Sequence, residues 1–179
     1  MYKRQERCEP GTPLVDDVVE PLAAVNERLW EAPTEGSFRT LEQEITWHAG
    51  LIEERRSSGV VSDAVVDRVL QLQRELLASQ PAHVLLHADL HCENVLLSAR
   101  GWLAIDAKPL VGDPAYGVAQ ALANDKPTPE EVPALARRLG LDPDRVWAWG
   151  LCRNVDLALC MASIGRRDEA ALRLVEAYS

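Results

Sequence analysis

The strongest constraint on this chain is a change of hydrophobic period partway along it. Ser62 opens a stripe of Val65, Val66, Val69, Leu72, Leu76 and Leu77, spaced as on one helix face and closed by Gln80-Pro81. The period then collapses to three short apolar runs, Val84-Leu85-Leu86, Val95-Leu96-Leu97 and Trp102-Leu103-Ala104-Ile105, separated by polar or glycine-bearing turns. Runs this short read as buried strands, and pairing the second with the third makes a hairpin. Helical periodicity returns over 114–123, 128–139, 142–164 and 168–178, with Thr128 as one cap and Asp142-Pro143 as a cap followed by proline at the first helical position. Upstream, 14–30 and 38–56 are amphipathic at helical spacing. The expected fold is α+β, mainly α: helices around a small β-hairpin insertion, in one domain without repeats.

The insertion also carries the chemistry. Asp89 and Asn94 flank a tight turn, and Asp106 follows the next strand, so a hairpin gathers three oxygen-bearing side chains around one cation. Mg²⁺ suits such a set, because it takes few protein oxygens and leaves its other positions to water and substrate phosphate. With Asn94 and Asp106 on the metal, Asp89 is left to accept or orient a hydroxyl proton, and phosphoryl transfer to an alcohol needs little more. The competing reading of Asp89 is a turn or capping carboxylate. A zinc pair at His87 and His91 is disfavoured by the strand-like flanks and the missing Glu of the helical zinc motif. The kinase catalytic loop has the form H-R-D-x-x-x-x-N with a metal-binding Asp after the next strand. His87-Ala88-Asp89, Asn94 and Ile105-Asp106 match its spacing.

The stretch from His87 to Pro114, with its HADLHCENVL loop and WLAIDAKP strand followed by GDP, resembles the aminoglycoside and hydroxyurea phosphotransferase family. Glu6 to Leu14 is similar to that family's segment linking two kinase lobes. The resemblance implies the C-terminal lobe of a protein-kinase-like fold, with Asp89 as catalytic base, Asn94 and Asp106 as Mg²⁺ ligands, and His87 supporting the loop. It implies ATP as co-substrate and, as acceptor, a hydroxyl of a small cationic molecule, an aminoglycoside such as streptomycin. Residues 1–12 then form the remnant of the inter-lobe linker. Residues 13–179 form the lobe, with the catalytic loop at 87–94 and the metal strand at 102–106. On this resemblance the N-terminal nucleotide-binding lobe is expected to be missing, in keeping with the lack of a glycine-rich phosphate loop in the sequence.

Several positions depart from the family pattern. Ala88 replaces the usual glycine, a strain beside the base if that position needs positive φ. Ala107 replaces a proline. Gly117 stands where relatives carry an Asp that braces the loop, so either Asp113 takes that role or the loop is less rigid. Lys108 is typical of the family but has no assigned role.

Charge speaks to the ligand and not to the fold. The chain has 28 acidic against 19 basic residues, a formal charge of −9 spread along its length, which disfavours nucleic acid and anionic lipid and suits a cation. Around the acceptor, Glu93, Asp125 and Asp156 are the available carboxylates. Each is equally well a solvent-facing charge. His48 reads as a satisfied core histidine, and Trp147 and Trp149 read as core. With no signal peptide and no long apolar run, a cytoplasmic location is expected, and the four cysteines read as reduced thiols. Two rivals remain open: a lobe that binds an acceptor or partner without catalysis, and a kinase for another small metabolite such as choline or a sugar amine.

Overall fold

The computed structural model describes residues 9–123, 128 and 130–177. Seven α-helices surround two small sheets: β1 (Pro10–Pro13), α1 (Val19–Trp30), β2 (Arg39–Thr40), α2 (Leu41–Arg55), α3 (Asp63–Ala78), β3 (Val84–Leu86), β4 (Val95–Ser98), β5 (Gly101–Ala104), β6 (Leu110–Gly112), α4 (Pro114–Ala119), α5 (Val132–Arg138), α6 (Pro143–Ser163) and α7 (Glu169–Ala177).

Helix starts follow local capping chemistry. Thr40 and Gln43 form a reciprocal capping box on α2, Ser62 accepts from the Val65 amide on α3, and Asp142 precedes Pro143 on α6. α5 starts later than the sequence pattern suggests, at Val132. Thr128 instead donates its backbone N–H to the Glu131 carboxylate at 2.7 Å.

The strands depart further from expectation. The β4–β5 hairpin forms, with Val95 opposite Ala104 and Ser98 opposite Gly101. β3 does not join it. One sheet has the order β1-β4-β5 and the other β2-β6-β3, so the three apolar runs are divided between two sheets. β1, β2 and β6 carry too little pattern to read, being a proline-bounded edge segment, a two-residue pair and a three-residue run. β1 pairs antiparallel with β4, so a linker boundary drawn after residue 12 falls inside a strand of the lobe.

The chain therefore crosses between the sheets from β1 to β2 and then twice more, from β3 to β4 through 87–94 and from β5 to β6 through 105–109. Around these crossings the 21-residue α6 is the central pillar, packed against α2, α3, α4, α5 and α7. Leu22, Ile52, Val66, Leu86, Trp149 and Leu159 are fully buried in the continuous core. Gly112 has no room for a methyl group, because an added Cβ would overlap Leu41 where α2 rests on β6. Among the described residues no helix is long and apolar enough to cross a membrane.

Candidate active site

The crossings at 87–94 and 105–109 are laced to each other by three hydrogen bonds. Ile105 N–H donates to Asn94 O at 2.9 Å and Lys108 N–H donates to His87 O at 2.9 Å. His87 Nε2 lies 2.9 Å from Ile105 O and donates to it. The His87 ring is buried, and burial depresses its pKa despite that bond and the nearby Asp89 and Asp106 charges, so the neutral Nε2–H tautomer fits. Both crossings also contain a left-handed residue. Ala88 has φ 59° and Asp106 has φ 56°. Ala88 thus occupies a conformation that glycine adopts without strain, immediately before Asp89.

Within this frame Asn94 is tightly oriented. Its Nδ2 donates to Asp89 O at 2.8 Å and lies 3.0 Å from His91 Nε2, which accepts. With both amide hydrogens committed, Oδ1 is the atom left for a ligand. Asp106, one residue beyond Ile105, is exposed and makes no hydrogen bond or ion pair among the described residues. No group of three or more His, Cys, Asp or Glu side chains among the described residues is placed to hold a metal ion. An oriented amide oxygen beside one unpaired carboxylate is the small donor set that fits Mg²⁺ carried in with a nucleotide.

Asp89 is held differently. Its side chain is 18% exposed; Lys108 Nζ donates to Oδ2 at 2.6 Å, and Arg153 Nη2 lies 3.8 Å from Oδ1. Burial alone would raise the Asp89 pKa, but the Lys108 hydrogen bond and charge, with Arg153 and His91, outweigh it and hold the carboxyl below its ordinary value. The group is therefore ionised at neutral pH.

The remaining expected residues fall elsewhere. Asp113 is buried and bonds away from the catalytic loop: Oδ1 caps Ala115 N–H at 2.9 Å, while Oδ2 accepts from Arg145 Nε at 2.7 Å and Trp149 Nε1 at 2.8 Å. It ties α4 to α6 and does not brace the loop. Trp149 belongs to the core, packed edge-on to Tyr116 at 5.3 Å. Glu93 is 90% exposed, its nearest ionic contact being His91 Nδ1 at 3.8 Å. Asp125 lies outside the described residues. Asp156 is already paired, with His48 Nδ1 at 2.7 Å from Oδ2 and Arg55 Nη1 at 3.8 Å from Oδ1. His48 is consequently half-buried in an acidic setting. Burial pulls its pKa down, but Asp156 and Glu44 pull it further up, to a net rise.

The aminoglycoside/hydroxyurea antibiotic resistance kinase family matches residues 14–165. The chain belongs to that family. Its relatives include a hydroxyurea phosphotransferase of Kitasatospora aureofaciens, 40% identical over 110 residues, covering 58% of this chain and 32% of that protein. A streptomycin 6-kinase of Streptomyces glaucescens is 32% identical over 173 residues, covering 87% of this chain and 56% of the relative. The chain thus spans between about a third and just over half of the curated relatives it matches. Among solved structures, a thermostable mutant of aminoglycoside phosphotransferase APH(4)-Ia superposes with TM-score 0.66 at 23% identity, over 96% of this chain and 66% of that one. Choline kinase LicA from Streptococcus pneumoniae gives TM-score 0.66 at 14% identity, over 96% of this chain and 66% of that one. These neighbours establish the α+β kinase-like fold of the lobe.

Two residues that face Asp89 have partners that only the fold reveals. Arg153 sits on α6 eight residues after Arg145 and four after Trp149, on one inward stripe with Asp156 three further on. Its signal is the polar residues interrupting an otherwise apolar face. Lys108 is visible only once the loop after β5 is seen folding back on Asp89.

Proposed function

We propose that this lobe transfers the γ-phosphoryl group of ATP to a hydroxyl of a small antibiotic-type acceptor. The observation that carries this reading is the lacing of loops 87–94 and 105–109, which gathers an ionised carboxylate, an oriented amide oxygen and an unpaired carboxylate at one place. Asp89 takes the acceptor's hydroxyl proton as its oxygen bonds to the γ-phosphorus. The bond from that phosphorus to the β–γ bridging oxygen breaks, and its electron pair leaves with ADP. Asn94 and Asp106 would hold Mg²⁺, which when bound neutralises charge on the phosphates. His87 keeps the two loops in register. Solved relatives carrying ADP and AMP-PNP with hygromycin B support a nucleotide and an antibiotic as partners.

The acceptor we propose is a cationic one of the streptomycin type, supported by the names of the relatives and by the net charge of −9. Asp156, which lines a pocket together with Arg153, is the carboxylate we assign to it. Because the chain covers just over half of the streptomycin 6-kinase and less of the other curated relatives, we propose that the grip on the nucleotide comes from a separate N-terminal lobe. A cytoplasmic setting, where ATP is available, goes with this reading. A lobe that binds the acceptor without transferring phosphate is the rival that the partial coverage favours.

The test is transfer of labelled phosphate from Mg²⁺-ATP to streptomycin and to hydroxyurea, by this chain alone and with the N-terminal lobe of a relative added in trans. Asp89→Asn is expected to lower kcat by about 10²- to 10⁴-fold, the usual range for losing a general base. Wild-type transfer by that variant removes Asp89 from its assigned role.

A further inference from the structure

The two oxygens of Asp89 meet two different cations, and the contacts are unequal. Lys108 Nζ to Oδ2, at 2.6 Å, is a short charge-assisted hydrogen bond. Arg153 Nη2 to Oδ1, at 3.8 Å, lies beyond hydrogen-bond range. A lone pair committed to an ammonium is a poor acceptor for a second proton, whereas Oδ1 keeps its lone pairs. The 3.8 Å gap also has a specific width. One oxygen atom set about 2.7–2.9 Å from each side bridges it, donating to the carboxylate and accepting from the guanidinium.

The side from which such an oxygen arrives is marked by a second feature. Arg153 lines a small pocket of about 20 Å³, room for one water-sized polar group, together with His48, Gln73, Tyr116 and Asp156. Four polar atoms of that wall are buried without a hydrogen-bond partner among the described residues: Arg153 Nε, Gln73 Oε1, His48 Nδ1 and Asp156 Oδ1. The last two belong to the His48–Asp156 ion pair, which leaves Arg153 Nε, a donor, and Gln73 Oε1, an acceptor, outside it. Gln73 is only 3% exposed. An unpaired buried polar atom is costly, and that cost is relieved when a ligand with the complementary group enters.

We infer that the oxygens of Asp89 divide the work. Lys108 is a positioning residue that anchors Oδ2, while Oδ1 receives the acceptor's proton. The acceptor hydroxyl enters from the α6 side, bridging Oδ1 and Arg153, and one small polar group beside it is read by Gln73 and Asp156. The acceptor class this fits is a polyhydroxylated molecule with a hydrogen-bond donor next to the reacting hydroxyl. The inference rests on Asp89 being the proton acceptor.

The two cations should separate in kinetics. In the phosphate-transfer assay with streptomycin, Arg153→Met is expected to raise the acceptor KM about tenfold or more while leaving the ATP KM within about twofold, the loss expected for a charged hydrogen bond. Lys108→Met should lower kcat about tenfold with both KM values near wild type, and Lys108→Arg should restore most of it. An acceptor KM unchanged by Arg153→Met, with Arg153→Lys as the milder check, overturns the route of entry. A kcat within twofold of wild type in Lys108→Met overturns the anchor. If no form of the protein transfers phosphate, the reading of its activity fails but this inference is still decided by binding. Streptomycin binding seen by saturation-transfer NMR must weaken at least fivefold in Arg153→Met, and not in Lys108→Met. The ¹⁵N signal of the Lys108 ammonium must lose its exchange protection in Asp89→Asn. Equal streptomycin binding in both methionine variants, or a Lys108 signal indifferent to Asp89, sinks it.

Discussion

Asp113 and Asp89 are both paired with basic side chains, yet one is a structural fixture and the other a reactive group. Asp113 is 0% exposed, and both oxygens are committed: one to the first turn of α4, the other to Arg145 and Trp149. Arg145 is committed in turn, donating to Leu76 O at 2.7 Å and lying 3.0 Å from Ser79 Oγ, so the pair fastens α3, α4 and α6 together. Asp89 is 18% exposed, its tight partner Lys108 is 61% exposed, and one oxygen has only a distant arginine. Saturation makes a buried ion pair rigid, whereas an unused lone pair beside a solvent-facing ammonium leaves chemistry to be done. α6 serves both sites from one stripe, with Arg145 and Trp149 on Asp113 and Arg153 toward Asp89.

That contrast breaks most visibly in stability. Arg145→Met leaves the Asp113 carboxylate buried without its counter-charge, and should lower unfolding free energy by about 3–5 kcal/mol in urea titrations. Lys108→Met removes an exposed partner and should cost no more than about 1 kcal/mol. Equal losses in the two variants would mean that the sites are not different in kind.

The contrast sharpens through two histidines, His48 and His87. Asp156 and Glu44 raise the folded pKa of His48 above 6.5, with Arg55 also facing Asp156. A raised value means that the His48 pair contributes stability fully below pH 6.5, and that this is lost as pH rises through the folded value. His87 has the opposite sign. Burial lowers its folded pKa, so it favours folding above pH 6.5, and that contribution is lost as pH falls from 6.5 toward the folded value. His48→Gln should therefore lose more stability at pH 6 than at pH 8, measured as the urea midpoint at each pH. A loss equal at both values would show that His48 is not charged in the native state.

Much of this was readable in the sequence, and the failures share a physical cause. Ser62, Asp142-Pro143 and the stripe on α3 act through neighbours in the chain, so they could be read locally. The His87 to Asp106 spacing survives because both loops are anchored at strand ends. Strands of two to four residues have no periodicity to read: β2 exists only because it pairs with β6, and β6 because it lies between β2 and β3. Asp113 and Asp156 illustrate a deeper limit, because a carboxylate's role is set by the cation that the fold brings to it. Arg145 is 32 residues from Asp113, and His48 is 108 residues from Asp156.

The smallest expected effect concerns Ala88, the residue that precedes Asp89. Its φ of 59° puts a Cβ where left-handed backbone disfavours one, at about 1–2 kcal/mol. Ala88→Gly removes that strain but adds chain entropy to the unfolded state, about 0.5–1 kcal/mol in the opposite direction. The net expectation is a gain of about 0.5–1 kcal/mol in urea stability. Gly59→Ala, at φ 67° with open space around it, supplies the reference, since it should lose about 1 kcal/mol from the same strain imposed in reverse. Stabilisation by Ala88→Gly accompanied by slower phosphate transfer would show that the methyl group sharpens the loop for catalysis. Stabilisation with unchanged transfer would show that the lacing through His87, Ile105 and Asn94 fixes Asp89 without it.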